Sequence, residues 1–238
     1  MKTLVINGSL KGNRSHSMMI AESFVKGMTN VCDTETEVIE LGKVNIEHCT
    51  GCFCCWKVTP GQCAIRDDMD MIREKILESD VIIVSFPLYF FGLPSKLKAL
   101  LDRLLPFKKP YNGRPATEEN PVILDFRYDF SGKKLILVST CAHASRDYVY
   151  DPVVSQFDLI FGKDKYTSIF CGQGEILELE QMKGIFGNYL KKVEKAGEEF
   201  GNNKELGKAT LEQICAPIIP PRALEKMMTG YWEKFPHQ

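Results

Sequence analysis

The chain has 238 residues, of which 44% are apolar and 26% charged, and its formal net charge is −1. This composition is typical of a globular protein, and the absence of a basic excess argues against nucleic acid or an anionic membrane as partner. The longest apolar run, VIIVSFPLYFFGLP at residues 81–94, is too short for a membrane span and contains two prolines. The N-terminus resembles a strand and turn rather than a signal peptide, so we expect a cytoplasmic protein.

Strand and helix patterns alternate along the chain. Short apolar or β-branched runs predict five strands, at residues 3–7, 36–41, 80–86, 133–140 and 166–172. Apolar residues at helical spacing predict helices near residues 18–28, 67–78, 93–105 and 179–200. Strands separated by helices imply parallel βαβ units. We therefore expect an α/β fold: a flavodoxin-like three-layer sandwich whose five-stranded parallel sheet carries helices on both faces.

Two segments fall outside this simple pattern. Residues 106–132 form a long insertion containing proline and charged residues, which is typical of lids, interfaces or disordered loops. Residues 201–238 are predicted to form a C-terminal helical extension, in which a helix follows the hinge APIIPP. The main domain is therefore expected to span residues 1–200, with a cysteine loop at 45–66.

The first strand runs into a loop of sequence NGSLKGNRSHS, ahead of the first helix. Backbone N–H groups at a helix start and serine hydroxyls are suited to binding a phosphate. The loop lacks both the dinucleotide glycine spacing and the Walker lysine, so the single phosphate of a flavin fits better. The alternative is that Ser15 or Ser17 only caps the helix. A cap needs one such residue, whereas this loop has three, including Ser9.

The sequence PLYFFG, residues 87–92, follows the third strand, where open α/β sheets bind ligands. Such a turn could offer an isoalloxazine ring both an apolar wall and backbone donors. The alternative is that Tyr89, Phe90 and Phe91 are core residues. Three consecutive aromatic side chains cannot all face one core in a regular element, which favours the binding role.

Five of the nine cysteines lie in the stretch CTGCFCCWKVTPGQC. The compact spacing, with a Pro-Gly turn before the last thiol, could hold an iron–sulfur cluster. The candidate ligands are Cys49, Cys52, Cys55 and Cys63, with Cys54 in addition. Zinc is a second possibility, although its sites usually use two separated cysteine pairs, and unligated thiols are a third. Asp67 and Asp68, which follow, are expected to cap the next helix rather than act as acid–base groups.

The segments NGSLKGNRSHS, SFPLYFFGLPSKLKALLDR and CTGC ahead of CAIRDDM resemble the flavodoxin-like NAD(P)H-dependent FMN reductases and quinone reductases. The cysteine spacing resembles the iron–sulfur flavoproteins, which hold a 4Fe–4S cluster. The resemblance extends from residue 1 to about 103, weakens toward 200 and does not include the tail. It implies that the first loop binds the FMN phosphate and that the loops after the third and fourth strands contact the ring. The implied cofactor residues are Ser9, Lys11, Ser15, His16, Ser17, Pro87, Leu88, Tyr89, Phe90, Phe91, Thr140, Cys141 and Ala142.

This resemblance implies an enzyme in which FMN takes hydride from NAD(P)H and passes electrons to a quinone, flavin, azo or nitro compound, or the cluster. Because the flavin carries the chemistry, no catalytic side chain is assigned. A pair of Cys141 and His143 as nucleophile and base is an alternative without a sign of thiol activation. Two other functions stay open: an electron carrier reduced by a ferredoxin-like protein, and a cofactor-free binding module. A homodimer or homotetramer is also implied, in which the insertion or the tail could complete a neighbour's site.

Overall fold

A computed structural model describes residues 1–110 and 124–233. The described residues form five β-strands and eight α-helices. The strands are β1 (Lys2–Asn7), β2 (Glu35–Glu40), β3 (Val81–Pro87), β4 (Lys134–Thr140) and β5 (Thr167–Cys171). The helices are α1 (His16–Val31), α2 (Cys54–Lys57), α3 (Met69–Glu78), α4 (Ser95–Asp102), α5 (Asp151–Phe161), α6 (Lys183–Asn203), α7 (Lys208–Cys215) and α8 (Pro221–Trp232).

The five strands form one sheet in the order β2-β1-β3-β4-β5, and every neighbouring pair is parallel. This confirms the predicted flavodoxin-like α/β fold. The strand order reverses between β1 and β3, and parallel sheets bind ligands outside the carboxyl ends of the strands at such a point. The loops after β1 and β3 therefore begin where a ligand site is expected.

Helices cover both faces of the sheet, as the three-layer prediction required. One apolar cluster joins the sheet to α1, α6, α7 and α8, and the other joins it to α3, α4 and α5. The central strands are buried on both sides, which explains why β3 is an almost uninterrupted apolar run. No helix within residues 1–110 and 124–233 is long and apolar enough to cross a bilayer.

Glycines bring α1 and α6 into backbone contact. A Cβ atom at Gly27 would lie 1.8 Å from the Glu194 carbonyl oxygen, and one at Gly197 would lie 2.0 Å from the Phe24 carbonyl oxygen. Neither position can hold a larger residue unless the helices separate. Gly197 is therefore a packing requirement within α6.

Some elements differ from the sequence-based expectations. Helix α5 was not predicted; Pro152 lies in its first turn, where a helix tolerates proline because the N–H at that position has no intrahelical partner. Helix α7 lies within the predicted helical extension but was not assigned as a separate helix. Helix α6 begins at Lys183 rather than near 179, since a 3-10 helix at Gly174–Glu178 and a second at Glu180–Met182 occupy the connection from β5. It also continues past residue 200, to Asn203.

The described ends of the predicted insertion pack on the α4 and α5 side of the sheet. Phe107 is buried, and the rings of Phe126 and Phe130 lie 4.7 Å apart within the same apolar cluster. The rest of the insertion, residues 111–123, and the last part of the predicted tail, residues 234–238, lie outside the described residues.

Candidate functional site

A cavity of about 430 Å³ opens beside the carboxyl ends of the strands. Its size is within the range of small-molecule and cofactor sites. Most of the predicted cofactor residues line it: Ser9, Lys11, Ser15, His16, Pro87, Leu88, Tyr89, Thr140, Cys141 and Ala142. Ser17, Phe90 and Phe91 lie outside the lining formed by the described residues. The three loops that the sequence assigned to one site therefore line one cavity.

Hydrogen bonds shape the loop after β1. The buried Asn7 side chain accepts a bond from the Ser9 N–H at 3.0 Å, and the Ser9 hydroxyl accepts one from the Lys11 N–H at 3.3 Å. Ser15 occupies the N-cap position of α1, yet its side chain makes no capping bond within the described residues. Its hydroxyl lies instead 2.9 Å from that of Ser17, which is fully buried. The capping alternative is therefore wrong for both serines.

Charged groups lie around this loop. The Lys11 ammonium is 2.6 Å from a carboxylate oxygen of Glu178, and this hydrogen bond lowers the pKa of Glu178. Burial lowers the pKa of His16, and burial together with the Glu178 charge raises the pKa of Glu175. At neutral pH the cavity therefore has a cation at its serine-rich end, beside a carboxylate that a phosphate would have to displace or accommodate.

The aromatic loop is a tight turn. Tyr89 and Gly92 exchange backbone hydrogen bonds of 3.1 and 2.9 Å, while Phe90 and Phe91 have φ values of 48° and 62°. Their side chains are exposed, Phe90 by 99%, so the alternative that these aromatics form the core is wrong. Left-handed backbone costs bulky residues about 1–3 kcal/mol and concentrates at functional sites.

The loop after β4 is joined to its neighbours by backbone bonds. The Leu88 N–H donates to the Thr140 carbonyl at 2.8 Å, and the Cys141 N–H donates to the Cys171 carbonyl at 3.1 Å. Burial raises the pKa of the Cys141 thiol. Since a nucleophilic cysteine needs a lowered thiol pKa, this observation disfavours the alternative of Cys141 and His143 as nucleophile and base.

Sequence reasoning missed two parts of the lining. Gly174, Glu175, Glu178 and Leu179 come from the connection after β5, and Met228 and Tyr231 come from α8. The first set could have been found, because β5 ends at the same edge of the sheet as β1, β3 and β4. The tail residues carry no comparable signal, since nothing in their local pattern shows where the helix packs.

The volume and donor groups of the cavity fit flavin mononucleotide. Serine hydroxyls, Lys11 and the first turn of α1 offer donors and positive charge to a phosphate at one end. Leu88 and Tyr89 offer an apolar wall elsewhere in the same cavity. The two requirements of this cofactor, an anion site and a flat apolar surface, therefore meet in one place.

The cysteine loop lies around a second, much smaller cavity of about 20 Å³. Cys49, Cys52, Cys55 and Cys63 all line it; the first two are exposed and the last two buried. No group of three or more His, Cys, Asp or Glu among the described residues is arranged to hold a metal ion. The donor chemistry fits a cluster, but a cavity of about 20 Å³ has room for roughly one water molecule and would have to widen around a cluster.

A buried ion pair holds both ends of this loop. The Arg103 guanidinium contacts the Asp67 carboxylate at 2.7 and 2.9 Å, and it also donates to the carbonyls of Glu47 and Ile65 at 2.8 and 3.1 Å. Burial acts to raise the pKa of Asp67, but hydrogen bonds from Arg103 and the backbone outweigh it and lower that pKa. The pairing of Asp67 with Arg103 was not predicted.

Asp67 also accepts the Met69 N–H at 3.0 Å at the start of α3. Asp68, which occupies the N-cap position, makes no side-chain capping bond within the described residues and instead accepts the Asn45 N–H at 2.7 Å, so the expected cap is wrong for Asp68.

The fold and the cavity together define a protein of the doubly wound α/β class with a cavity at its switch point. A family model described as a flavodoxin-like fold matches residues 1–185, so the chain belongs to that flavodoxin-like family.

Similar proteins include an iron–sulfur flavoprotein of Archaeoglobus fulgidus, 33% identical over 107 residues, which are 45% of this chain and 47% of that protein. The chain spans about half the length of this and the other iron–sulfur flavoproteins that it matches. An FMN-dependent NADH:quinone oxidoreductase of Stenotrophomonas maltophilia is 25% identical over 186 residues, which are 78% of this chain and 85% of that one.

Among solved structures, an FMN-dependent NADH-azoreductase from Bacillus anthracis in complex with FMN has a similar fold. Its TM-score is 0.60 at 18% identity, and the alignment covers 84% of this chain and 99% of that one. At this identity the likeness supports the fold alone.

Proposed function

We propose that this chain is an FMN-dependent oxidoreductase that passes electrons from NAD(P)H to a small acceptor such as a quinone, a flavin, or an azo or nitro compound. The observation that carries the proposal is the convergence of a serine-rich loop and an exposed aromatic turn on one cavity. The similarity to an FMN-dependent NADH:quinone oxidoreductase over most of the chain supports the same chemistry.

Bound FMN would supply a hydride acceptor that can release electrons to a second substrate. The hydroxyls of Ser9 and Ser15, with Lys11, would hold the phosphate. The turn at 87–92 would place Tyr89 and its backbone groups against the ring. No side chain has to act as an acid or base, because the protein's task is to orient the cofactor and exclude competing reactions.

Anaerobic mixing of the FMN-loaded protein with NADH or NADPH tests this function. We expect the flavin absorbance to bleach rapidly with at least one nicotinamide and to return when a quinone is added. Bleaching only by a reduced ferredoxin, with no response to either nicotinamide, would contradict the enzyme and favour the electron carrier.

A second candidate is an iron–sulfur flavoprotein that carries electrons and is reduced by a ferredoxin-like partner. The four cysteines around one cavity favour it, as does the similarity to proteins of that name. Anaerobically prepared protein should then contain iron, and Cys52→Ala should lose the iron while keeping FMN. Cys54→Ala is the matched control, because this neighbouring thiol lies outside the cavity lining formed by the described residues. Iron-free wild-type protein would contradict this candidate.

We also propose a homodimer or homotetramer in a reducing, cytoplasmic environment. Three consecutive exposed aromatic side chains, Tyr89, Phe90 and Phe91, form an apolar patch of the kind that marks interaction sites, and all nine cysteines are free. Light scattering should give an oligomeric mass, and Phe90→Ser should lower the association constant. A monomeric wild-type protein at micromolar concentration would contradict this assembly.

A further inference from the structure

We propose that helix α8 is a built-in wall of the FMN cavity and that Gln173 is the residue that positions it. This inference rests on the proposed FMN function and goes beyond it. It assigns a role to the tail in its own subunit, whereas the sequence suggested that the tail might complete a neighbour's site.

One face of α8 points into the molecule. Leu224 is 3% exposed within the apolar cluster that includes α1 and α6, and Met227 packs against the same cluster. Met228 and Tyr231 line the cavity. Residues 224, 227, 228 and 231 recur at helical spacings of three and four, so a single stripe of α8 both anchors the helix and reaches the cofactor site.

The side-chain amide of Gln173 joins the start of this helix to the body of the protein. Its Oε1 atom accepts the Ile219 N–H at 2.9 Å, and its Nε2 atom donates to the Ile219 carbonyl at 2.8 Å and to the Ala144 carbonyl at 3.2 Å. Gln173 is fully buried, and Ile219 is separated from α8 by Pro220 alone. The hinge before the helix is thereby fixed through both backbone polar groups of one residue.

The backbone of Gln173 also connects to loops that line the cavity. Its N–H donates to the His143 carbonyl at 2.9 Å, and the next residue, Gly174, donates to the Cys141 carbonyl at 2.6 Å. Gln173 has φ 66° and ψ 22°, a left-handed conformation that is uncommon for a residue with a side chain. A hydrogen-bonded unit thus connects the loop after β4, the connection after β5 and the tail.

The position of α8 should affect how fast a bound cofactor leaves the cavity. A ligand that fills this cavity would contact Met228 and Tyr231, and movement of these side chains or of the whole of α8 away from the cavity would remove those contacts. The Gln173 bonds oppose that movement because breaking them would leave buried polar groups without partners. Weakening either the wall or its anchor should therefore increase the rate of FMN dissociation.

The test uses full-length protein and measures FMN dissociation by the recovery of flavin fluorescence after dilution. The double variant Met228→Ala with Tyr231→Ala should release FMN at least about tenfold faster, which corresponds to about 1.4 kcal/mol. Glu225→Gln, on the exposed face of the same helix, should release it at the wild-type rate. Equal rates of FMN dissociation from the double variant and the wild type would show that α8 does not retain the cofactor and would overturn the inference.

Gln173→Met tests the positioning role, because methionine keeps the length of the side chain but removes the amide. Hydrogen exchange should accelerate across residues 218–232 and not in β1, and FMN should dissociate faster. Accelerated exchange with an unchanged dissociation rate would show that α8 moves without retaining the cofactor and would overturn the inference. A wild-type protein that binds no FMN would instead refute the proposed function, and this inference with it.

Discussion

The hydroxyl groups of two nearby serines occupy different positions at the cavity. Ser15 and Ser17 were both predicted to bind a phosphate, but the structure gives them different positions: Ser15 lines the cavity, and Ser17 lies buried behind it and contacts its hydroxyl. The spacing of serines in a sequence cannot distinguish these positions, because α1 begins between them. A residue that supports a ligand-binding hydroxyl and one that contacts the ligand have the same sequence signature.

Replacing both serines, in Ser15→Ala with Ser17→Ala, should weaken FMN binding by about 1.5–3 kcal/mol for each hydrogen bond to the charged phosphate that is lost. Folding stability should change little, since removing both members of a hydroxyl pair leaves neither with an unsatisfied partner. Titration calorimetry gives the affinity and urea unfolding the stability. Thr29→Ala, at the exposed far end of α1, is the control. An unchanged FMN affinity would remove the phosphate assignment from this loop.

Lys108 is a buried lysine outside the cofactor site. Its ammonium nitrogen lies 3.3 Å from the Leu124 carbonyl oxygen and 3.3 Å from the centroid of the Phe126 ring, and burial lowers its pKa to about 8. Between that pH and the ordinary value of 10.5, the unfolded chain keeps a proton that the folded protein has released. The contribution of Lys108 to the free energy of unfolding should therefore rise with pH through this window, by about 3 kcal/mol.

Urea unfolding at pH 7.5 and at pH 10 measures this effect. Lys108→Met should lack this contribution, because the variant has no proton to release at that position. The free energy of unfolding of the wild type should therefore rise relative to that of Lys108→Met between the two pH values. Lys109→Met, at the exposed neighbouring position, should keep the contribution of Lys108. Identical pH dependence of the wild type and Lys108→Met would contradict the lowered pKa.

At the scale of elements, periodicity was sufficient where a strand or helix has one clear face. All five strands were predicted: the central strands are buried on both sides and form apolar runs, whereas the edge strand β2 is mostly exposed and was placed by its β-branched residues. Helices α1, α3 and α4 were predicted because their apolar residues recur at helical spacing. It failed where local sequence and tertiary packing disagree. The aromatic turn could be placed by its position after β3, but its left-handed residues Phe90 and Phe91 could not, since these conformations are normally reserved for glycine.

The contact between α1 and α6 gives an element-scale prediction. Gly197→Ala should destabilise the fold by about 1–3 kcal/mol, because its Cβ would meet the backbone of Phe24 and force the helices apart. Gly187→Ala, in the same helix, has open space among the described atoms and should stabilise by about 0.5–1 kcal/mol. Urea midpoints measure both variants. A Gly197→Ala protein as stable as the wild type would show that the two backbones are not in contact.

The buried ion pair of Arg103 and Asp67 gives a second prediction about how elements are held together. Arg103→Met leaves a buried carboxylate without its cation and should cost about 3–5 kcal/mol. Adding Asp67→Asn should recover part of this loss, since no buried charge is then left. Arg66→Met, which removes an exposed pair with Asp70, should cost less than about 1 kcal/mol. Cys55 and Cys63 should react faster with a thiol reagent in Arg103→Met than in the wild type, and at the wild-type rate in Arg66→Met. Unchanged reactivity in Arg103→Met would mean that the ion pair does not hold the cysteine loop.

At the scale of the whole molecule, the site is assembled from sequence-distant parts. The sheet edge brings together the loops after β1, β3, β4 and β5, and this much follows from the fold class. The contribution of α8 does not, because it depends on the hydrogen bonds between Gln173 and Ile219, which are 46 residues apart. The cysteine loop is likewise positioned by Arg103, a residue that lies on the far side of the aromatic turn in sequence.

The most direct test of the central claim is an equilibrium titration of FMN into flavin-free protein, followed by quenching of flavin fluorescence. We expect saturable quenching with one FMN per chain. The FMN affinity should be weaker in the double variant Ser15→Ala with Ser17→Ala, and it should keep the wild-type value in the Thr29→Ala control. Fluorescence that stays constant on addition of the wild-type protein, or quenching that is indifferent to the serine substitutions, would contradict a flavin site at the carboxyl edge of this sheet.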